Sequence, residues 1–405
     1  MTNSGPLRII IVGGGIAGLS AAIALRAPGR QITILERSRL NREIGALISL
    51  QPNASRILRE TWNLGEEMAA ARGLVDEGIR IYDTDGSLVN EIPLLSKTEY
   101  GARRAVYHRN DLHSALKSAA TGSSLKGDPA AIQVSSSVVS CDPEGGQVTL
   151  ESGEILTADV IIGADGIHSV LRKCIPSEVL EANEPEFCKR INPRDPYTSI
   201  VVAHDCRLVM GPGRQGEMIG IVAMVPDDKM NEDPASGQSW VTEGSMEKML
   251  ETFSEFPSWL TSIFKHSPDL GLWQLRDMAP FKTWYRGRVF LIGDAAHPML
   301  PTQGQGASQS IEDAEALGAF FEDLDTTKSP SLDDLQIAFE QIFKARYDRA
   351  SVIQRYSRQT AQGGTVKGQK TVTLNPEEFM DYNCMYRGAK LWSQSKAGSQ
   401  AVSVI

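Results

Sequence analysis

The chain has 405 residues, room for two or three domains, and its 41% hydrophobic and 22% charged content suits a folded globular protein and excludes a disordered one. Its 41 basic and 50 acidic residues give a net charge of -9 with no Lys/Arg-rich run, which argues against a nucleic-acid partner. Five scattered cysteines without a C-x-x-C pair argue against a disulfide framework, a zinc site or an iron–sulfur cluster, and fit a reducing compartment such as the cytosol.

Leu7 to Val12 is a β-branched apolar run of the kind buried on both faces of a parallel sheet. The wider stretch Ile9–Leu25 is apolar but shorter than the ~20 residues a membrane span needs, and it is studded with glycines, so no span is expected. The run ends in Gly13-Gly14-Gly15-Ile16-Ala17-Gly18, a G-x-G-x-x-G. Ile16, Leu19, Ile23 and Leu25 then mark the buried side of a helix that Pro28-Gly29 closes. A second strand, Gln31–Leu35, leads to Glu36, eighteen residues beyond Gly18. Strand, glycine turn, helix, strand and acid at this spacing form a dinucleotide-binding unit. Gly13 permits the tight turn, Gly15 lets a pyrophosphate approach the backbone, and Gly18 lets helix and strand pack closely. The helix N-terminus offers free N–H groups, and Glu36 can accept hydrogen bonds from an adenosine ribose. This unit by itself leaves FAD and NAD open.

Two later segments repeat the strand–turn–helix theme. Val160-Ile161-Ile162-Gly163-Ala164-Asp165-Gly166 runs on to Ser169 and Arg172, and Val289-Phe290-Leu291-Ile292-Gly293-Asp294 runs through Pro301 to Gly304-Gln305-Gly306-Ala307 and a helix from about Ser308 to Phe321. An Asp at the carboxyl end of a parallel strand stands where such sheets bind ligands and can accept from sugar-alcohol hydroxyls. A Gly-Gln-Gly-Ala turn opening a helix presents N–H groups to negative charge. Between them, Thr198–Ala203, Arg207–Met210 and Met218–Val225 read as strands separated by His204-Asp205 and Gly211-Pro212-Gly213. His204 could serve as a base and Arg207 could clamp an anion, although both could equally sit on the wet face of a hairpin. Leu335–Gln359 is a predicted helix whose Leu335, Ala338, Phe339, Ile342 and Phe343 form one side. Arg346, Arg349, Arg355 and Arg358 are assigned to a solvated face, and His108 and His297 read as packing histidines.

The combination resembles the single-component FAD-dependent aromatic hydroxylases, the group A flavoprotein monooxygenases, and within them the fungal salicylate-hydroxylase-like branch. The resemblance rests on GGGIAG with Glu36, EIGALISLQPNA (43–54), YHRNDLHSAL (107–116), GADGIHSVLRK (163–173) and GDAAHPMLPTQGQGASQSIEDAEAL (293–317). It implies an α/β fold: a Rossmann-like FAD-binding domain, an interleaved antiparallel-sheet substrate domain and C-terminal helices. The expected bounds are 1–75, 100–180 and 275–325 for the FAD-binding domain and 76–99 with 181–274 for the substrate domain. A helical region follows over 326–392, with a disordered tail over 393–405. The resemblance further implies that Gly13, Gly15 and Gly18 meet the FAD pyrophosphate and Glu36 the ribose, with Gly45 and Ala46 along the cofactor. Arg109 would reach the phosphate and ribityl region, Asp165 both FAD and transient NADPH or NADH, and Asp294 the ribityl chain. Pro301 would lie at the flavin edge where oxygen reacts, and Gly304, Gly306 and Ala307 at the isoalloxazine ring.

The implied reaction is hydroxylation of a small phenolic or polyketide-derived aromatic by molecular oxygen through a flavin C4a-hydroperoxide, with or without loss of a carboxyl group. Epoxidation or dearomatisation by the same flavin chemistry stays open, as does a flavin-binding protein with an impaired substrate domain. The last arises because relatives carry an Ala-Tyr-Arg-Gly-like strand, its Arg often catalytic, before the substrate strands. Here only 31 residues separate Arg172 from His204, and Arg190 and Arg194 fall in a Pro- and Asn-rich loop context. The sequence marks no oligomer surface.

Overall fold

The apolar run at the N-terminus forms β1 (Leu7–Val12), buried on both faces at the centre of a six-stranded sheet. The computed structural model describes residues 6–39, 47–84, 86–94, 98–166, 169, 171, 197–203, 206–213, 218–225, 241–243, 245–261, 264, 271–273, 280–324, 330–361, 370–394 and 402–404. Parallel neighbours of β1 are β2 (Arg30–Leu35) and β12 (Val160–Gly163). The sheet extends in parallel to β8 (Ala131–Gln133) on one side and β19 (Val289–Leu291) on the other, and β18 (Tyr285–Arg286) adds an antiparallel edge. Buried crossover connections are what a parallel sheet requires. Here α1 (Ile16–Leu25) joins β1 to β2 and packs on α7 (Gly306–Phe321) and α4 (Arg109–Thr121). Arg30 donates to Leu25 O and Phe321 O, so one buried guanidinium satisfies the open carbonyl ends of α1 and α7.

A second, five-stranded sheet has the order β15 (Met218–Met224), β14 (Cys206–Gly213), β13 (Tyr197–Ala203), β5 (Gly78–Tyr82), β6 (Leu88–Pro93). Three of its pairings are antiparallel, as expected for the substrate sheet, whereas β13 and β5 run parallel. Val201, Leu208 and Ala223 on one face pack with Met249, Phe253, Phe256 and Leu260 from α5 (Met246–Thr252), α6 (Ser258–Thr261) and the turn joining them, forming a core separate from that of the large sheet. Smaller sheets are β3 (Leu47–Leu50) with β7 (Ala105–His108) and β4 (Leu74–Val75), β9 (Val138–Asp142) with β10 (Gln147–Leu150) and β11 (Ile155–Thr157), and the pair β16 (Val241–Glu243) and β17 (Gly271–Trp273). Two short helices, α2 (Pro52–Arg56) and α3 (Gly65–Ala70), follow β3. Among the described residues no helix is long and apolar enough to cross a membrane.

The predicted C-terminal helix is α8 (Leu332–Ala361), followed by α9 (Pro376–Cys384) and α10 (Ala389–Gln394). One expectation fails here. Arg346 and Arg349 do not face solvent; both are fully buried between α7 and α8. Arg346 bonds Glu312 and Asp313 (Nε to Oδ1, 2.9 Å), and Arg349 bonds Glu312 through Nε (2.6 Å) and Nη2 (2.7 Å). Helical spacing alone put these arginines off the apolar stripe. It could not show that α7 brings an adjacent Glu-Asp pair against that side, and buried charges persist only when paired in this way. In the segment expected to be a disordered tail, the alternating Val402–Val404 forms a strand that pairs antiparallel with Lys370–Val372.

Candidate functional site

A cavity of about 690 Å³ runs without interruption from the carboxyl ends of β1, β12 and β19 to the five-stranded sheet. Its first half is built from strand–helix joints. Gly15 is the N-cap of α1 and makes no side-chain cap bond; Gln305 holds the same position at α7, also without one. Both helices therefore open onto the cavity with uncapped N–H groups, at Gly15, Ile16 and Ala17 and at Gly306 and Ala307. A Cβ at Gly15 would meet nothing within 4 Å, so its bare backbone faces open space. Arg109 at the first turn of α4 and Asp294 in the turn after β19 line the same half, with Pro301 and Gly304.

Two glycines work from behind the wall. Gly13 has φ +107°, and a Cβ there would lie 2.2 Å from Ala164 O; a Cβ on Gly18 would lie 1.9 Å from Gly13 O. Both let backbones meet, as the motif's spacing predicts, and neither lines the cavity. Glu36 accepts from Gly14 N–H of the glycine turn (2.8 Å) through one oxygen and from Ser38 N–H just after β2 (2.7 Å) through the other. Asp165 accepts from Ser169 Oγ (2.5 Å) and Leu171 N–H (3.3 Å), while its neighbours Ala164 and Gly166 reach the cavity. The geometry thus gathers Gly15, Arg109, Asp294, Pro301, Gly304, Gly306, Ala307 and Arg207 around one space and leaves Gly13, Gly18, Glu36 and Asp165 outside its lining. Gly45, Ala46, Arg172, Arg190, Arg194 and His204 lie outside the described residues.

The second half is a chamber with an apolar wall of Ile79, Ile81, Ile200, Val209 and Val222, closed by Met210, Met224, Met299 and Met380. Two cations reach it, and they differ. Arg104 is paired with the buried Asp76 (3.2 Å) and donates to Thr198 Oγ1 (3.3 Å); Asp76 also accepts from Thr198 Oγ1–H (2.6 Å) and N–H (3.2 Å). Among the described residues Arg207 has no carboxylate partner; its Nη1 donates to Thr360 O (3.3 Å) near the end of α8. Thr360 also receives Gln303 Nε2 (3.1 Å), and Thr302 Oγ1–H donates to Ser357 O (2.7 Å), so the loop after Pro301, β14 and α8 meet at one point.

Sequence reasoning missed Arg104, Asp76 and Thr198, whose association depends on the β5–β13 pairing rather than on any local pattern. It also passed over His113, whose Nε2 bonds Gly14 O at 2.8 Å and braces the glycine turn from α4. His113 lies one helical turn after Arg109 on α4, and that i, i+4 spacing was the available signal.

The uncapped helix N-termini, the bare Gly15 and the adjoining hydroxyl acceptor Asp294 fit a long anionic dinucleotide such as FAD. The model of the FAD binding domain family matches residues 7–332. The FAD-dependent monooxygenase cfoG of Aspergillus candidus is 32% identical over 95% of this chain and 92% of its own. The 3-hydroxybenzoate 6-hydroxylase 1 of Aquipseudomonas alcaligenes is 28% identical over 93% of this chain and 97% of its own. Among solved structures, CtdE in complex with FAD and substrate shares the fold, with a TM-score of 0.72 at 20% identity over 97% of this chain and 98% of that one. The chain belongs to the FAD binding domain family and is an FAD-dependent monooxygenase.

Proposed function

We propose that the protein hydroxylates a small, anionic aromatic, a phenol or aromatic acid, at the boundary between the two halves of the cavity. The observation that carries this is the continuity of the cavity: the polar, helix-capped half opens directly into an apolar chamber holding one cation without a carboxylate partner among the described residues, Arg207. FAD, reduced by NADPH or NADH, supplies the activation of molecular oxygen. In this reading the N–H groups of Gly15 and Ile16, with Arg109, bind the pyrophosphate, and Asp294 accepts from the ribityl hydroxyls. The N-terminus of α7 at Gly306 and Ala307 faces developing negative charge on the ring system. The apolar strands exclude water from the reacting face, and the Arg207 guanidinium holds a carboxylate or phenolate in a fixed orientation. Similarity to a 3-hydroxybenzoate hydroxylase supports the substrate class.

The test is NADPH and NADH oxidation by the FAD-loaded protein with and without a panel of phenols and hydroxybenzoates, with peroxide measured in parallel. Stimulated oxidation with little peroxide and a hydroxylated product is the expected result. Oxidation matched mole for mole by peroxide with every aromatic would refute the reading.

A further inference from the structure

The turn that presents Asp294 to the cavity is held from behind by a single carboxylate. Asp313, on the second turn of α7, uses Oδ2 twice: it accepts from the backbone N–H of Gly293 at 2.9 Å and from Nε2 of His297 at 2.6 Å. Its Oδ1 accepts from Arg346 Nε at 2.9 Å. Asp313, His297 and Arg346 are all buried. Because a carboxylate only accepts, His297 must carry its proton on Nε2. Gly293 and His297 bracket Asp294, so one oxygen atom fixes both ends of the turn. Gly293 itself sits at φ +59°, with a Cβ there coming 2.8 Å from Ser310 Oγ, so the turn has no room to shift toward α7. The chain leaving His297 runs through Pro298, whose carbonyl accepts from Gln354 Nε2 (2.7 Å), to Pro301 at the cavity wall.

We infer that Asp313 and His297 are positioning residues for the flavin: their hydrogen bond, anchored by Arg346 of the C-terminal helix, sets the height of Asp294 and Pro301 in the cavity. Neither residue lines the cavity; both act through the turn they brace. The tie also makes the cofactor site depend on Arg346 of α8, a residue beyond the 7–332 span matched by the family model. A packing histidine would fill space, which any side chain of similar volume could do. A positioning histidine must deliver an N–H at the distance Asp313 sets.

That difference gives the test, which rests on the proposed seating of FAD. His297→Gln places an amide N–H near the original Nε2, His297→Asn is one methylene too short, and His297→Leu has no donor. Apoprotein of each is titrated with FAD, following flavin fluorescence and the visible circular dichroism of the bound flavin, with the apoprotein's melting temperature recorded alongside. The expected result is that Gln stays within about 3-fold of wild type, while Asn and Leu bind FAD about 10- to 100-fold more weakly with an altered flavin dichroism. Gln and Asn are both polar amides, so their comparison survives even if Leu does not fold. Gln falling as far as Asn, or all three matching wild type in affinity and spectrum, would overturn the inference. Wild-type apoprotein that fails to take up FAD would instead overturn the proposed seating of the cofactor, and this inference with it.

Discussion

Replacing Glu312 by Gln is the sharpest test of how the C-terminal helices are held. Glu312 is fully buried and carries the pairing of Arg346, Arg349 and Asn53, with Arg349 Nε and Nη2 at 2.6 and 2.7 Å. Burial pushes its carboxyl up, but Arg349 and Arg346 together outweigh that and leave it below the ordinary glutamate range. Glu312→Gln keeps the shape and removes the charge. Arg346 would keep Asp313, Arg349 would keep only the carbonyls of Tyr382 and Asn383, and the amide NH2 would face other donors. Breaking a buried pair from one side costs about 3–5 kcal/mol, most of it because the guanidinium left behind is a buried charge without compensation. At about 2.1 cal/mol/K of unfolding entropy per residue, that loss lowers the melting temperature of a chain this size by roughly 4–6 °C. Thermal unfolding of the FAD-loaded protein followed by far-UV circular dichroism measures it. The double variant Glu312→Gln with Arg349→Met restores charge balance and should lose less than the single one. A single variant that melts within about 1 °C of wild type, or a double variant that is worse than the sum of its parts, would refute the reasoning.

Four further outcomes follow from the same geometry. Burial pushes the Asp313 carboxyl up, but His297, Arg346 and the Gly293 N–H hold it at about 2, against 3.8 in the unfolded chain. It therefore contributes about 2 kcal/mol at neutral pH, and that contribution disappears as pH falls from about 4 to about 2; acid unfolding of Asp313→Asn should lack this portion. Gly18→Ala drives a Cβ to 1.9 Å from Gly13 O, so the glycine turn must open, costing about 1–3 kcal/mol and weakening FAD binding measured by fluorescence titration. Arg207→Gln should raise KM for a hydroxybenzoate about 10- to 100-fold while FAD affinity stays unchanged. Arg104→Met, which strands the buried Asp76, should show itself in the melting temperature first.

Much of the first sheet was legible because its signals are local. The run Leu7–Val12, the glycines of 13–18 and the Gly-Asp turn after Leu291 each specify a strand–turn–helix joint within twenty residues and appear where the spacing puts them; of the joint after Gly163 the strand appears as expected, and its helix lies outside the described residues. The strands expected at 198–203, 207–210 and 218–225 were readable too, but Gly211-Pro212-Gly213, read as a separating turn, continues β14, its residues held in register by β15. What escaped was every feature made by two distant segments meeting. Arg346 and Arg349 looked like surface charge because Glu312 and Asp313 lie on another helix. Arg104 carried no motif because its partner, Asp76, reaches it only through the tertiary pairing of β4 with β7 and of β5 with β13.

The β5–β13 pairing also explains why the two halves of the site cannot be assembled independently. Parallel neighbours need a crossover, and here the chain between Tyr82 and Tyr197 includes β8 and β12 of the first sheet and α4, which carries Arg109. The large sheet thus serves as the connection that lets the five-stranded sheet close. The return is also tied, since β18 and β19 follow the second core and then hand the chain to α7 and α8. Arg207 completes the circuit by bonding the end of α8 from β14. A substitution in the ion cluster between α7 and α8 therefore acts on the chamber as well as on the cofactor half. Loosening α8 releases the carbonyl of Thr360 that orients Arg207, together with the Thr302–Ser357 bond that holds the loop beside Pro301. The site is a property of the closed chain, which is why the Arg104–Asp76–Thr198 cluster had to be found in tertiary structure while Arg109, Arg207, Asp294 and the glycines could be read in sequence.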